Sequence, residues 1–361
     1  MKTIVFTGGS SLLAQSWIRQ EQPHYNYILG LHERQLDQKR FNTIVFDYEN
    51  PDQLSSQLRK IKADIVINCI GLTSVEACEE QPELAAKINV ELSKNIALAC
   101  AESSVKLVHI STDHLFDGTH PFAAETEPKS PVNLYGKTKG EGEDVVLKNN
   151  PSALLIRTNF FGWGPEYKAS FSDKILRNLE SGQISKLFQD VYYTPISVGT
   201  MRNAIEILLE QNAKGMFNVV SNERISKYQF GIMLATVFGY PTQLIEPISI
   251  DEMTDLTARP KDMSLSNHKL SVHLNEPVSS LERQLNDLKA EGRQLQQRLV
   301  IPYGRQDVSE KDIQAVVNVL RSDYITQGPT IQKFERRVAE YSGAKHAYAC
   351  NSATSALHIA C

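Results

Sequence analysis

Six short apolar runs alternate with helical-length stretches through the first half of this chain: Ile4–Phe6, Tyr27–Leu31, Thr43–Phe46, Ile65–Ile67, Leu107–Ile110 and Leu154–Ile156. Runs this short and continuous suit strands buried on both faces, as in parallel sheets. Between two of them, Glu83–Glu102 repeats Leu84, Ile88, Leu92, Ile96 and Ala99 at helical spacing. The alternation predicts an α/β fold: a Rossmann-type, doubly wound parallel sheet with helices on both faces. From Pro165 the pattern changes to longer helices, Phe171–Glu180, Val198–Gln211 and Tyr228–Phe238. This predicts a smaller substrate-binding lobe, mainly within 165–275, interleaved with late strands near Lys186–Phe188 and Gly215–Val220.

Composition excludes several classes. With 41% hydrophobic and 22% charged residues, the 361-residue chain can build a sizeable core and is not wholesale disordered. Its 38 basic and 42 acidic residues give −4 with no block of like charge, which argues against a nucleic-acid or anionic-membrane partner. No apolar run approaches the roughly 18 residues of a membrane span, and Met1 leads straight into a strand. The five cysteines form no Cys-x-x-Cys pair. A cytoplasmic protein without signal peptide, disulfide framework or metal is the expectation.

Directly after the first strand stands Thr7-Gly8-Gly9-Ser10-Ser11-Leu12-Leu13-Ala14. A strand, a glycine turn and a helix N-terminus together aim backbone N–H groups at a pyrophosphate. Gly8, Ser10, Ser11, Leu12 and Leu13 are therefore candidate cofactor contacts. In the spaced-glycine fingerprint only Gly8 keeps its glycine; Ser11 and Ala14 replace the other two, and Ser11 demands an ordinary φ. About 20 residues on, where a ribose-reading residue belongs, the second strand ends in His32-Glu33-Arg34. Glu33 would favour NADH, whereas Arg34 or His32 would favour NADPH; the reading leans to NADPH. Asp47 is placed for the adenine edge or for capping its own loop. Cys69-Ile70-Gly71 lets the backbone pass close to the cofactor.

The fifth strand ends in Ser111-Thr112-Asp113-His114-Leu115-Phe116-Asp117-Gly118, and Asn133-Leu134-Tyr135-Gly136-Lys137-Thr138-Lys139 follows. Tyr135 and Lys139, four apart, share one helix face. A tyrosine is a poor acid–base group near neutrality until a neighbouring ammonium favours its phenolate. Lys139 supplies such a charge and can hold the nicotinamide ribose. Thr112, or Ser111, can hydrogen-bond the reacting carbonyl oxygen.

These two segments resemble the dTDP-4-dehydrorhamnose reductase family of extended short-chain dehydrogenases. The resemblance covers about 1–275 and includes Lys87-Ile88-Asn89-Val90, Arg157-Thr158-Asn159-Phe160-Phe161-Gly162 and Arg259-Pro260-Lys261-Asp262-Met263-Ser264-Leu265. It implies hydride transfer from NADPH to C4 of a nucleotide-linked 4-keto-6-deoxy sugar. Tyr135 would be the proton donor, Lys139 its electrostatic partner and Thr112 the oxyanion-side hydroxyl. Asn89 and Ser111 would border the cofactor, and Asp113, Asn159, Arg177 and Arg259 the substrate. His114 stands where that family usually has Tyr. A homodimer is an open option. Two other readings stay open: a non-catalytic regulatory subunit like the beta subunit of methionine adenosyltransferase, and an NAD-retaining epimerase or dehydratase.

Two segments follow the reductase-like unit, which is expected to end at 277. Residues 278–299 carry a capping-box pattern, Ser279 with Glu282, and a leucine stripe, Leu281, Leu285, Leu288, Leu295 and Leu299, interrupted by Gly292. A linker or a helix docking on the domain fits better than a dimerising coiled coil. Residues 300–361 resemble the amino-terminal end of pyridoxal-phosphate sugar-nucleotide aminotransferases of the 4-amino-4,6-dideoxy type. The resemblance rests on Ile301-Pro302-Tyr303-Gly304-Arg305-Gln306, Thr326-Gln327-Gly328-Pro329 and Asn351-Ser352-Ala353-Thr354-Ser355-Ala356-Leu357-His358. It implies phosphate contacts from Ser352, Ala353 and Thr354. Neither Lys333 nor Lys345 matches the Schiff-base lysine, so the expectation is an incomplete fragment, marginally folded, with no pyridoxal phosphate chemistry.

Overall fold

The computed structural model describes residues 1–19, 25–32, 34, 36, 41–299, 309–324 and 328–352. It divides into a compact unit, Met1–Gln297, and a second one, Arg298–Cys361.

The first unit opens with β1 (Lys2–Thr7), α1 (Leu12–Ile18), β2 (Tyr25–Leu31), β3 (Thr43–Val45), α2 (Pro51–Lys60) and β4 (Ile65–Asn68). Then come α3 (Val75–Glu80), α4 (Pro82–Ala86), a π-helical turn at Lys87–Glu91, α5 (Leu92–Ser103), β5 (Lys106–Ile110), α6 (Leu134–Asn149) and β6 (Leu154–Arg157). The lobe adds β7 (Phe160–Phe161), α7 (Phe171–Glu180), β8 (Ser185–Phe188), β9 (Tyr192–Tyr193) and β10 (Ile196–Ser197). It continues through α8 (Val198–Glu210), β11 (Gly215–Asn218), β12 (Ile225–Ser226), α9 (Lys227–Phe238), β13 (Ile245–Ile248), α10 (His268–His273) and α11 (Leu281–Leu299).

Seven strands form one sheet in the order β11-β6-β5-β4-β1-β2-β3, and every pairing is parallel. Strand order reverses between β1 and β4. Loops leaving the carboxyl ends of these neighbours diverge to opposite faces and open the crevice where such sheets bind ligands. Alternating side chains build two cores. Ile4 and Phe6 pack with Trp17 of α1 and with Met201, Ile205 and Leu208 of α8. Val5, on the other face, packs with Leu54 and Leu58 of α2, Ile96 of α5 and Val146 of α6.

Two expectations are corrected and one late strand is placed. Glu83–Glu102 is not one helix: the π-helical turn widens it at Asn89, where α6 approaches so closely that a Cβ on Gly142 would stand 2.5 Å from the Asn89 carbonyl. The late strand expected near Gly215–Val220 runs Gly215–Asn218 and joins the main sheet, pairing in register from Gly215↔Leu154 to Asn218↔Arg157. The first unit does not end at 277 with a linker beyond. Leu281, Leu285 and Leu288 are buried against Phe161, Leu176, Phe230 and Leu234 in the lobe core. Gly292 interrupts the leucine stripe because the Trp163 ring lies there, 2.5 Å from where its Cβ would be. The Trp163 indole N–H also donates to the Leu288 carbonyl at 2.9 Å. Nor does a Ser279–Glu282 box cap this helix: Leu281 N–H donates to Glu223 Oε2 at 2.9 Å, and Arg283 N–H to Ser280 Oγ at 3.3 Å.

The second unit holds α12 (Glu310–Leu320), capped reciprocally by Ser309 and Asp312, and α13 (Pro329–Ser342). None of its described residues is buried; Val316, Leu320, Phe334 and Tyr341 expose their apolar surface. The expected motif residues Ile301–Gln306, Thr326, Gln327 and Ala353–His358 lie outside the described residues, as does Glu33.

Candidate active site

The glycine turn opens the crevice at the end of β1. Gly8 takes φ +71°, a left-handed conformation that side chains disfavour. Gly9 presses on β2, where a Cβ would lie 2.6 Å from the Leu29 Cβ. Both glycines are required, although only Gly8 stood out by spacing. Ser11, at φ −68°, has an ordinary backbone and caps α1 by accepting from the Ala14 N–H. Ala14 is completely buried, so its methyl fills the helix–sheet contact. Leu12 and Leu13 begin the helix whose free N–H groups face the crevice.

β4 supplies the opposite lip. Asn68 accepts from Thr7 Oγ1 at 2.8 Å and from the Ile70 N–H at 3.1 Å, which holds the turn that carries Cys69 and Ile70. Burial pushes the Cys69 thiol up to about 12, against the opposing pull of Ser11 and Lys139. The thiol thus sits between the glycine turn and Lys139. A Cβ on Gly71 would lie 4.0 Å from Lys139 Nζ. Asn89 does not offer its side chain to the crevice: it clamps both backbone groups of Leu72, accepting at 2.8 Å and donating at 3.2 Å, and donates to Thr138 Oγ1 at 3.0 Å.

α6 carries two of the predicted catalytic residues, Tyr135 and Lys139. Asn133 caps it, its Oδ1 accepting from the Gly136 N–H at 2.9 Å. Tyr135 and Lys139 are both buried on one face. The Tyr135 and Thr112 hydroxyls are hydrogen-bonded to each other, while the Lys139 ammonium donates to the Ile110 carbonyl at 2.8 Å. Burial, with Asp113 nearby, drives the phenol far above its usual range. Burial also lowers Lys139 to about 8, opposed by Glu143. Tyr135 is therefore a neutral phenol in this arrangement, with a phenolate for Lys139 to act on only once its proton has left. Of the two strand-end hydroxyls, Thr112 faces the phenol; Ser111 is spent on Glu143 Oε1 at 2.6 Å.

Beyond Tyr135, Asp113 accepts from Asn159 Nδ2 at 2.6 Å. The His114 ring meets the Tyr135 ring edge-on at 5.3 Å. Arg259 pairs with Glu76 across the crevice. Lys227 lies 3.3 Å from the Tyr193 ring centroid, and burial lowers it to about 8, with Asp113 opposing and Arg259 adding to the fall. Sequence reasoning missed Lys227 and Tyr193. The signal was a cation at the first position of a helix capped by Ser226 and Gln229, where the helix dipole disfavours positive charge. Tyr193 Oη, His114 Nδ1 and Arg259 Nε are buried with no hydrogen-bond partner among the described residues. Such atoms suit a polar ligand.

Two predicted contacts lie apart. Arg177 is exposed in the last turn of α7, about 9 Å along the helix from Phe171, which borders Lys227. Asp47 is exposed and accepts from the Glu49 N–H at 3.0 Å, closing its own turn. Arg34 is exposed too, but its guanidinium stacks 4.2 Å above the Tyr167 ring. The Tyr167 hydroxyl donates to the Ser10 carbonyl at 2.9 Å, which joins Arg34 to the glycine turn. Among the described residues no group of His, Cys, Asp or Glu could hold a metal ion. No helix among them is long and apolar enough to cross a membrane.

The family model described as RmlD substrate binding domain matches residues 1–293. The model of the DegT/DnrJ/EryC1/StrS aminotransferase family matches 306–361. A relative from Haloferax volcanii named "probable low-salt glycan biosynthesis reductase Agl14" is 28% identical over 289 residues, covering 79% of this chain and 96% of its own. The methionine adenosyltransferase 2 subunit beta of Rattus norvegicus is 28% identical over 277 residues, covering 74% of this chain and 81% of its own. The solved dTDP-4-dehydrorhamnose reductase of Bacillus anthracis, in complex with NADP, has a TM-score of 0.70 at 24% identity, covering 81% of this chain and 99% of its own. The chain belongs to the RmlD substrate-binding domain family.

Proposed function

We propose that this chain uses NADPH to reduce the C4 keto group of a nucleotide-linked 4-keto-6-deoxy sugar, in deoxysugar or surface-glycan biosynthesis. The observation that carries the reading is the Tyr135–Thr112 hydroxyl pair, buried beside Lys139 at the carboxyl end of β5, one strand from the point where strand order reverses. A dinucleotide suits the crevice, because the glycine turn closes tightly on Cys69–Ile70 and on Leu29, where a Cβ on Gly8 or Gly9 would press, and leads straight into the N-terminus of α1. Gly8, Ser10, Ser11, Leu12 and Leu13 would hold its pyrophosphate, Cys69–Gly71 its inner edge and Lys139 the nicotinamide ribose. When bound, the nicotinamide supplies the hydride. Arg34, held by Tyr167 near the glycine turn, supports a 2′-phosphate and hence NADPH.

The chain's own residues then manage the proton. Thr112 donates toward the carbonyl oxygen, and the neutral Tyr135 phenol delivers its proton to the same oxygen as charge develops there. Protonated Lys139 stabilises the resulting tyrosinate, whose proton solvent restores. Tyr193, His114, Arg259, Asn159 and Asp113 present the polar atoms that a sugar's hydroxyls would satisfy. Lys227 and Arg259 bring positive charge for the diphosphate. NADPH oxidation with a panel of dTDP- and UDP-linked 4-keto sugars tests the reading. Turnover with none of them would favour a regulatory role, which the similarity to a methionine adenosyltransferase beta subunit supports.

A further inference from the structure

Glu143 is the one carboxylate on the Tyr135–Lys139 face of α6, one turn beyond Lys139, and it is completely buried. Its oxygens are fully engaged. Arg157, at the end of β6, donates to Oε1 from Nε at 2.9 Å and to Oε2 from Nη2 at 2.7 Å. Ser111 donates its hydroxyl to Oε1 at 2.6 Å. Lys129 stands 3.8 Å from Oε2. One side chain therefore joins α6 to the ends of β5 and β6, directly behind Thr112.

A buried ion pair is weak evidence for stability, since desolvation offsets most of its attraction. Placed here it has a second consequence. The groups whose charge bears on the Lys139 ammonium are Glu143 on its own helix, Cys69 at the end of β4 and His109 within β5. Cys69 is a protonated thiol at neutral pH and His109 is kept neutral by burial. Glu143, one turn along the same buried helix face, is thus the carboxylate whose charge favours protonated Lys139, offset in part by Arg157 and Lys129.

We propose that Glu143 is a positioning residue for the reaction: it sets a carboxylate one turn behind Lys139 on the same buried face and fixes the Ser111–Thr112 strand end through Ser111. The proposal rests on the reading of Lys139 as the ribose-holding cation. Its test needs no sugar substrate. NADPH affinity of the full chain is measured by fluorescence from pH 6 to 10, for wild type, Glu143→Gln, and a double variant Glu143→Met with Arg157→Met. The double variant replaces the pair by side chains of similar size and leaves no unpaired arginine.

In the wild type, affinity should fall through about pH 8, where Lys139 loses its proton. In Glu143→Gln that midpoint should move down by roughly one pH unit, the scale expected for losing a close opposite charge. The double variant, which removes the Arg157 positive charge along with the Glu143 negative one, should move it in the same direction but less. A midpoint that stays put in folded Glu143→Gln, or in the folded double variant an unchanged affinity at every pH, overturns the proposal, because a merely structural pair would change melting temperature alone. If the double variant also fails to fold by circular dichroism, the pair is a determinant of the fold and the proposal is equally overturned. Wild type that binds no NADPH at any pH would instead sink the cofactor reading beneath it.

Discussion

Lys139 Nζ donates to the Ile110 carbonyl at 2.8 Å, so the ammonium is anchored at the carboxyl end of β5 while Tyr135 bonds to Thr112. The division suits reduction. A phenol raised by burial arrives protonated, and the cation behind it becomes useful once the proton has left.

Tyr135→Phe should therefore lower turnover by about 10²–10⁴-fold, the usual loss for a general acid, with NADPH affinity nearly unchanged. Loss of NADPH absorbance with the active 4-keto sugar measures the first, and fluorescence titration the second. Turnover equal to wild type would remove Tyr135 from the chemistry.

The pH dependence follows from which group changes charge first. Tyr135 stays protonated far above neutrality, whereas Lys139 titrates at about 8. Its protonated form is the active one, so activity is retained below about pH 8 and lost as pH rises through it. A profile of kcat/KM that still climbs between pH 8 and 10 would contradict this assignment.

Arg34→Ala should raise KM for NADPH more than KM for NADH, since only the former carries a 2′-phosphate for the guanidinium. Tyr167→Leu should act in the same direction but more weakly, by removing the ring that holds Arg34 near Ser10. Equal losses with the two cofactors would show that Arg34 does not read the phosphate.

Lys227→Met should weaken binding of dTDP or UDP by about ten- to a hundredfold, the scale of one charge-assisted hydrogen bond, and leave NADPH binding intact. Calorimetric titration with each nucleotide checks it. Unchanged affinity would place the diphosphate elsewhere.

The parts legible in the sequence were those that depend on chain-local patterns. The apolar runs marked six strands of the main sheet because strands buried on both faces are apolar throughout. Tyr135 and Lys139 were visible because helical spacing joins them. Lys227 was hidden because its partners, Tyr193 and Asp113, come from distant elements. Arg177 misled for the converse reason: a basic residue near the lobe carries no information about which way its helix turn points. The seventh strand was visible as a late strand, but its place beside β6 was not, because that pairing is decided by tertiary contact and not by its own residues. Gly292 looked like a break in the leucine stripe, and only the Trp163 ring against it explains the gap.

The carboxy-terminal boundary gives the sharpest stability prediction, because two truncations only twenty residues apart should behave differently. A chain ending at Gln297 keeps Leu281, Leu285 and Leu288 in the lobe core, and also Gln284, whose Oε1 accepts from the Ser197 N–H at 2.7 Å. It should remain folded and bind NADPH like the full chain, since none of the described residues beyond it is buried. A chain ending at 277 exposes the faces of Phe161, Leu176 and Phe230 that these leucines cover. Each buried leucine is worth about 2–5 kcal/mol when cut back to alanine, so losing three approaches the whole stability of an ordinary domain. The shorter chain should be insoluble or melt far lower by differential scanning fluorimetry. Leu285→Ala in the full chain gives a milder form of the same test, with a melting temperature lower by several degrees. Equal stability of the two truncations would mean that α11 is a detachable linker after all.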